Sequence, residues 1–314
     1  MIAPPVRRVA VVGTGVIGAG WAAYFLAHGL DVTATDPAPG AQQRLRADVA
    51  AHWPVLTQIG LSDGASQDRL TFHGDPAQAV ADADFVQENG PEREDVKHDL
   101  FATLDAATRP DVVLASSSSG LLPTAIANCC PKHPERVVIG HPFNPAHVIP
   151  LVEVVPGEKT SEDAVERAIA FYAAIGKRPI RLRHEVPGHV ANRLQYALWR
   201  EAYSLVDRGV ATVSDIDAAI AHGPGLRWAV LGPLVNQHLS GGAGGLAHVL
   251  AHLGPPMVEV WRDLRDVTLG PDLVAALVAG VDEELSGIDP ADLRAQRDAV
   301  LTALLAAKSR TTLP

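Results

Sequence analysis

Apolar residues follow two rhythms along this chain, and the change from one to the other divides it. Up to about residue 183, short runs rich in Val, Ile and Ala at 9–12, 31–35, 70–73, 84–88, 112–115, 137–140, 151–155 and 178–183 read as strands. Between several of them lie longer stretches of helical period. In residues 41–60, Leu45, Val49, Trp53 and Leu56 recur every three or four positions, Pro91 starts a helix carrying Glu92, Arg93 and Lys97, and Thr160 or Ser161 caps a helix that runs to Ile175. Strands separated by helices predict a mostly parallel sheet covered on both faces, an α/β domain of Rossmann type. Pro187 and Gly188 then break the pattern. Beyond them strands nearly vanish, and helical periods dominate 190–208, 214–221, 271–284 and 290–307. We therefore expect a Rossmann domain at 1–186 and an all-helical domain at 187–314.

The stretch VAVVGTGVIGAGWAAYFLAHGLDVTATD, residues 9–36, sharpens that expectation. A β-branched run leads into Gly13, Gly15 and Gly18 at G-x-G-x-x-G spacing, then a helix with Gly29 as its C′ residue. The first glycine permits a tight turn, the second lets a pyrophosphate approach the backbone, and the third lets helix and strand pack closely. Gly13, Gly15, Val16, Ile17 and Gly18 are accordingly expected at the cofactor phosphates, on the N–H groups of the helix start. Asp36 ends the second strand where a carboxylate is expected on the adenosine ribose. It repels a 2′-phosphate, and Pro37 and Ala38 offer no cation in its place, so NAD is favoured over NADP. The glycines and His28 also make this stretch a poor membrane span or signal peptide.

Composition narrows the partners. A net charge of −10 argues against nucleic acid or an anionic membrane surface. The chain has no uninterrupted apolar run long enough for a bilayer, so no membrane partner is expected. Cys129 and Cys130 are the only cysteines and are adjacent, which suits reduced thiols in a cytoplasmic protein better than a disulfide framework. His238, His248 and His252 lie in glycine-rich sequence without supporting acids, and no metal site is expected there.

Two further segments carry chemistry. The strand at 112–115 runs into Ser116, Ser117, Ser118, Ser119 and Gly120, at the carboxyl end where open α/β sheets bind ligands. In GHPFNPAHVIPLVEVV, three prolines stiffen the segment, so that His141 and Asn144 are expected on a rigid loop and Glu153 in the strand after it. Oxidising an alcohol requires a group that takes the hydroxyl proton as hydride leaves. Histidine is suited to this, and a carboxylate beside it fixes the tautomer and stabilises the imidazolium.

The segments GTGVIGAG, QENGPEREDVK, SSSSG, GHPFNPAHVIPLVEVV and EVPGHVANRLQ, taken in order, resemble the successive motifs of the L-3-hydroxyacyl-CoA dehydrogenase superfamily through about residue 234. The resemblance is nearest to the branches whose substrates are carnitine and, next, L-gulonate. It implies an NAD-dependent oxidation of an L-3-hydroxy acid to the 3-keto acid, with His141 as base and Glu153 as its partner. By the same resemblance Ser119 hydrogen-bonds the reacting oxygen, Asn192 helps hold the substrate, Glu92 and Lys97 lie beside the nicotinamide ribose, and Asn144 lies near the nicotinamide. Ser117 stands where the family has Asn. A homodimer formed through the helical domain is also implied, as are the alternatives of a short-chain 3-hydroxyacyl-CoA substrate and of a structural or NADH-sensing relative without turnover.

For the substrate, Arg193 or Arg227 can meet a carboxylate, and Trp228, Trp261, Trp199 and Tyr196 offer aromatic faces to a quaternary ammonium. The segment that resembles the family's CoA-contacting region has Arg44, Arg46 and Arg69 but no Lys, and also carries Asp48, Asp63 and Asp68. This favours a free small-molecule hydroxy acid over a CoA ester.

Overall fold

Eight short strands carry the first part of the chain, and their burial shows why each forms. They are β1 (Arg8–Val12), β2 (Asp31–Thr35), β3 (Leu70–Phe72), β4 (Phe85–Glu88), β5 (Val113–Ser116), β6 (Val137–Pro142), β7 (Leu151–Pro156) and β8 (Arg178–Arg181), in the spatial order β3-β2-β1-β4-β5-β6-β7-β8. All neighbouring pairs are parallel except β6 and β7, which run antiparallel. In β1 the side chains alternate between two cores: Val9 and Val11 join one cluster, Ala10 and Val12 the other. A strand buried on both faces must be apolar throughout, as the sequence of β1 is after Arg8. The edge strand β8, RPIR, is charged and carries Pro179, which blunts it against further pairing.

Helices α1 (Val16–Ala27), α2 (Ala41–Ile59), α3 (Pro76–Val80), α4 (Glu94–Ala107), α5 (Pro123–Ala127) and α6 (Glu162–Ala174) cover the sheet. On one face Trp21 and Phe25 of α1 stack on each other and pack with Phe85, Phe171 and Tyr172. On the other, Phe101 and Leu104 of α4 meet Leu114 and Ile139. Gly29 has φ +73° just past α1, the left-handed C′ geometry its position implies. Two expectations need correction. Helix α4 begins at Glu94 rather than at Pro91, because Arg93 N bonds back to Pro91 O in a tight turn and the Glu92 carboxylate is drawn to the serine segment. And His141 lies within β6, not on the loop after it.

The computed structural model describes residues 6–313. These form two compact units, the sheet unit ending at Arg193 and a second unit from Leu194, so the first residues of α7 (Ala191–Asp207) belong with the sheet. The second unit holds α8 (Val213–Ala221), α9 (Pro224–Val230), α10 (Pro233–Ser240), α11 (Gly245–Asp263), α12 (Pro271–Glu284) and α13 (Pro290–Ser309), with no strand among its described residues. Among the described residues no helix is long and apolar enough to cross a membrane.

Candidate active site

At the carboxyl ends of β1 and β4, where the strand order reverses direction, a cleft of about 550 Å³ is lined by Gly13, Gly15, Asp36, Asn89, Gly90 and Pro91 among others. Gly13 has φ +86°, and a Cβ there would sit 2.7 Å from the Asn89 carbonyl. A Cβ on Gly18 would lie 1.9 Å from Gly13 O, whereas one on Gly15 would meet nothing within 4 Å. The three glycines thus have three different reasons: turn, open approach and close packing. No side chain caps α1, so its first N–H groups remain free for an anion, and Val16 beside them is 71% exposed. Ile17 is partly buried against the core. Asp36 is oriented by Thr14, whose N and Oγ1 donate to Oδ2 at 2.8 and 3.1 Å, and by Ala38 N, which donates to Oδ1 at 2.9 Å. These features fit the adenosine and pyrophosphate of NAD.

Beneath the cleft the polar ends of β4 and β5 form a network that the sequence reading did not find. Glu88 is fully buried, and its carboxylate accepts Lys97 Nζ at 2.7 and 2.8 Å, Gly90 N at 2.5 Å and Ser116 Oγ at 2.6 Å. Lys97 is itself 2% exposed, so its ammonium is committed to Glu88 instead of lying open beside a ribose. Its reach toward the cleft is through Gly90, whose O lies 3.4 Å away. The signal available beforehand was the pair Gln87 and Glu88 in a strand otherwise too apolar to tolerate them. Gln87 donates to Ser117 Oγ and Gly140 O and accepts from Tyr172 OH, and Ser117 in turn donates to Asn89 Oδ1 at 2.7 Å.

The antiparallel pairing of β6 with β7 sets His141 directly opposite Glu153. Opposed residues on one sheet face are close enough to touch, and His141 Nδ1 lies 2.9 Å from Glu153 Oε2. Glu153 is fully buried, and its other oxygen accepts Val190 N and Ala191 N, both at 2.9 Å. Burial pushes its carboxyl up, but hydrogen bonds from His141, Ala191 and Val190 outweigh this and hold it below the usual carboxylate range. An ionised Glu153 can only accept, so Nδ1 of His141 carries a proton, and in the neutral ring Nε2 then presents a lone pair. That is the state in which an imidazole removes a proton.

Glu92 organises the serine segment. Its Oε1 accepts Ser118 Oγ, Gly120 N and Leu121 N at 2.5, 2.7 and 3.0 Å. Partial desolvation against the loop pushes this carboxyl up, and these three donors together with the Lys97 charge more than reverse the shift. Glu92 was expected at the nicotinamide ribose; in this structure its contacts run to the loop after β5. Ser119 lies on that loop, partly exposed. His189 was not foreseen. It is fully buried, its Nε2 is 3.0 Å from Ser118 O, and its ring centroid is 5.2 Å from that of His141.

Asn144 is exposed on the loop after β6. That loop is held from below by Lys177, whose Nζ donates to Ala146 O at 2.5 Å and Ile149 O at 2.9 Å and lies 3.8 Å from the Tyr24 ring centroid. Burial lowers the Lys177 pKa to about 7. Asn192 is buried at the start of α7, and Arg193, on the surface, donates to Pro187 O at 3.1 Å. Arg227 and Trp228, in the second unit, line one cavity of about 320 Å³ with Asn236 and Gln237. Among the described residues no three His, Cys, Asp or Glu side chains gather as a metal site.

Comparison with known proteins identifies the family. Residues 8–186 match the model of the 3-hydroxyacyl-CoA dehydrogenase NAD binding domain, and residues 188–270 that of the 3-hydroxyacyl-CoA dehydrogenase C-terminal domain. An L-carnitine dehydrogenase of Streptomyces coelicolor is 55% identical over 97% of this chain and 96% of its own length. An L-carnitine dehydrogenase of Pseudomonas putida is 48% identical over 96% and 94%. Among solved structures, an NAD+ dependent dismutase, 5-formyl-3-hydroxy-2-methylpyridine 4-carboxylic acid 5-dehydrogenase, superposes with a TM-score of 0.84 at 32% identity, covering 97% of this chain and 99% of that one.

Proposed function

Because the chain belongs to the 3-hydroxyacyl-CoA dehydrogenase family, we propose that this NAD-dependent oxidoreductase oxidises the 3-hydroxyl of L-carnitine to the ketone. The observation that carries the reading is the His141–Glu153 pair, with Nδ1 tied down at 2.9 Å and Nε2 left to act. NAD, when bound, accepts the hydride. The chain's own part is to bind, orient and move one proton. Gly13, Gly15, Val16, Ile17, Gly18 and Asp36 hold the dinucleotide, and Glu92, Lys97 and Asn144 shape the nicotinamide end, the first two through the loops they anchor. His141 takes the hydroxyl proton through Nε2, Glu153 stabilises the imidazolium so formed, Ser119 donates to the reacting oxygen, and Asn192 steadies the substrate.

Three observations favour a free, zwitterionic acid. The cations that a CoA ester would use are engaged: Arg44 donates to Pro39 O, Arg46 to Leu70 O, and Arg69 pairs with Asp31 at 3.0 Å. Arg227 and Trp228 share a cavity, a guanidinium for the carboxylate and an indole for the trimethylammonium. Two relatives at 48% and 55% identity carry the name L-carnitine dehydrogenase.

We further assign residues 187–314 to substrate holding and to self-association as a homodimer. In the second unit only Val249 and Leu273 count as buried large hydrophobics among the described residues, while Leu194, Leu239, Trp261 and Val300 are each at least 60% exposed. Apolar area on that scale marks an association surface. The free thiols of Cys129 and Cys130 suit the cytoplasm.

The test is NADH absorbance with L-carnitine, D-carnitine, L-gulonate, 3-hydroxybutyrate and 3-hydroxybutyryl-CoA. L-carnitine is expected to give a kcat/KM about tenfold or more above every other substrate. Preference for the CoA ester would overturn the substrate assignment, and silence on all five would overturn the enzymatic reading.

A further inference from the structure

His189 is the one non-glycine residue with a positive φ, +51°, among the described residues, and it follows Gly188 at +75°. Left-handed backbone outside glycine is uncommon and is held in place only by its surroundings. Here the turn has a visible consequence. It brings the next two amides, Val190 N and Ala191 N, onto Glu153 Oε1 at 2.9 Å each. The side chain departs in another direction and reaches the serine segment, where Nε2 meets Ser118 O at 3.0 Å. A carbonyl only accepts, so Nε2 carries the proton. Nδ1 is then a bare acceptor, buried and without a hydrogen-bond partner among the described residues. A phenyl ring of similar size would fill this space without stranding a nitrogen. What it lacks is the donor to the peptide that joins Ser118 to Ser119.

We propose that His189 is a positioning residue that locks the Ser118–Ser119 loop to the His141–Glu153 pair, so that the hydroxyl donor and the base face one reacting oxygen in fixed register. One residue thereby joins two segments 71 positions apart through its side chain, and braces Glu153 through the two amides that follow it. Its burial also keeps the imidazole below its ordinary pKa, so it stands neutral 5.2 Å from a ring that must become a cation. This inference rests on the dehydrogenase reading above.

The experiment uses the full chain with NAD and L-carnitine, protiated or deuterated at C3. His189→Phe is expected to lower kcat about tenfold or more, to leave KM for NAD within about twofold, and to raise the primary isotope effect on kcat, because hydride transfer becomes slower than the steps around it. His189→Gln, whose amide can again donate to Ser118 O, is expected to recover most of the loss. Should the Phe variant not fold, His189→Asn takes its place: it tolerates the left-handed turn, is too short to reach Ser118, and should behave as the Phe variant was expected to. A wild-type isotope effect and kcat in the Phe or Asn variant would overturn the proposal, as would a loss that Gln does not relieve. Those outcomes leave the function intact, since wild type still turns over. A wild type silent on every substrate of the panel overturns the function and this proposal together.

Discussion

Replacing His141 with Ala is expected to lower kcat for L-carnitine by about 10²–10⁴-fold, the range that a positioned general base supplies. NADH affinity should stay within about twofold, because the residues that line the dinucleotide cleft come from β1, β2, α3, α4 and the segments that follow β1 to β4, not from β6. The variant should also fold. Glu153 loses one donor but keeps Val190 N and Ala191 N, so its carboxylate is not stranded. Fluorescence titration with NADH beside steady-state kinetics separates the two effects. Turnover at the wild-type rate would remove His141 from the chemistry.

Lys97→Met is expected to cost stability more than any surface charge change. Glu88 and Lys97 are 0% and 2% exposed, and removing one partner of a buried pair leaves an uncompensated charge, at about 3–5 kcal/mol. Gly90 N and Ser116 Oγ still donate to the carboxylate, which places the loss toward the lower end of that range. Pairing Lys97→Met with Glu88→Gln should recover part of it, since the charge then disappears with its partner. Urea denaturation of the three variants gives the comparison. The single variant should also bind NADH more weakly, because Gly90 lines the cleft and is held there by Glu88. A loss below about 1 kcal/mol would mean that the pair acts like an exposed one.

The parts of the site legible in the sequence are those whose partners are near in the chain or repeat a simple spacing. The glycines at 13, 15 and 18 act within one β-turn-α unit, and Asp36 ends the very next strand. His141 and Glu153 are twelve residues apart across one antiparallel pair, close enough to suspect from sequence, although the prolines suggested a loop where a strand continues to Pro142. Contacts made by the packing of distant elements were invisible. Lys97 was expected beside the nicotinamide ribose, because its partner Glu88 is hidden on a strand whose neighbours are apolar. His189 gave no sign, since its partner Ser118 lies on the loop after β5 and the strain that aims the Val190 and Ala191 amides at Glu153 is a backbone property. Glu92 was recognised, but not its grip on the Gly120 and Leu121 amides. In the helical unit, α9, α10 and α11 escaped the reading because the prolines that begin α9 and α10 and Pro255–Pro256 inside α11 resemble loop signals, while proline at the first turn of a helix is favourable.

The most direct measurement is a crystal structure of the chain with NADH and L-carnitine bound. The account predicts His141 Nε2 and the Ser119 hydroxyl each about 2.6–3.2 Å from the 3-oxygen of carnitine, with Nδ1 still on Glu153. A 3-oxygen lying beyond reach of Nε2, with another titratable side chain against it, would contradict it.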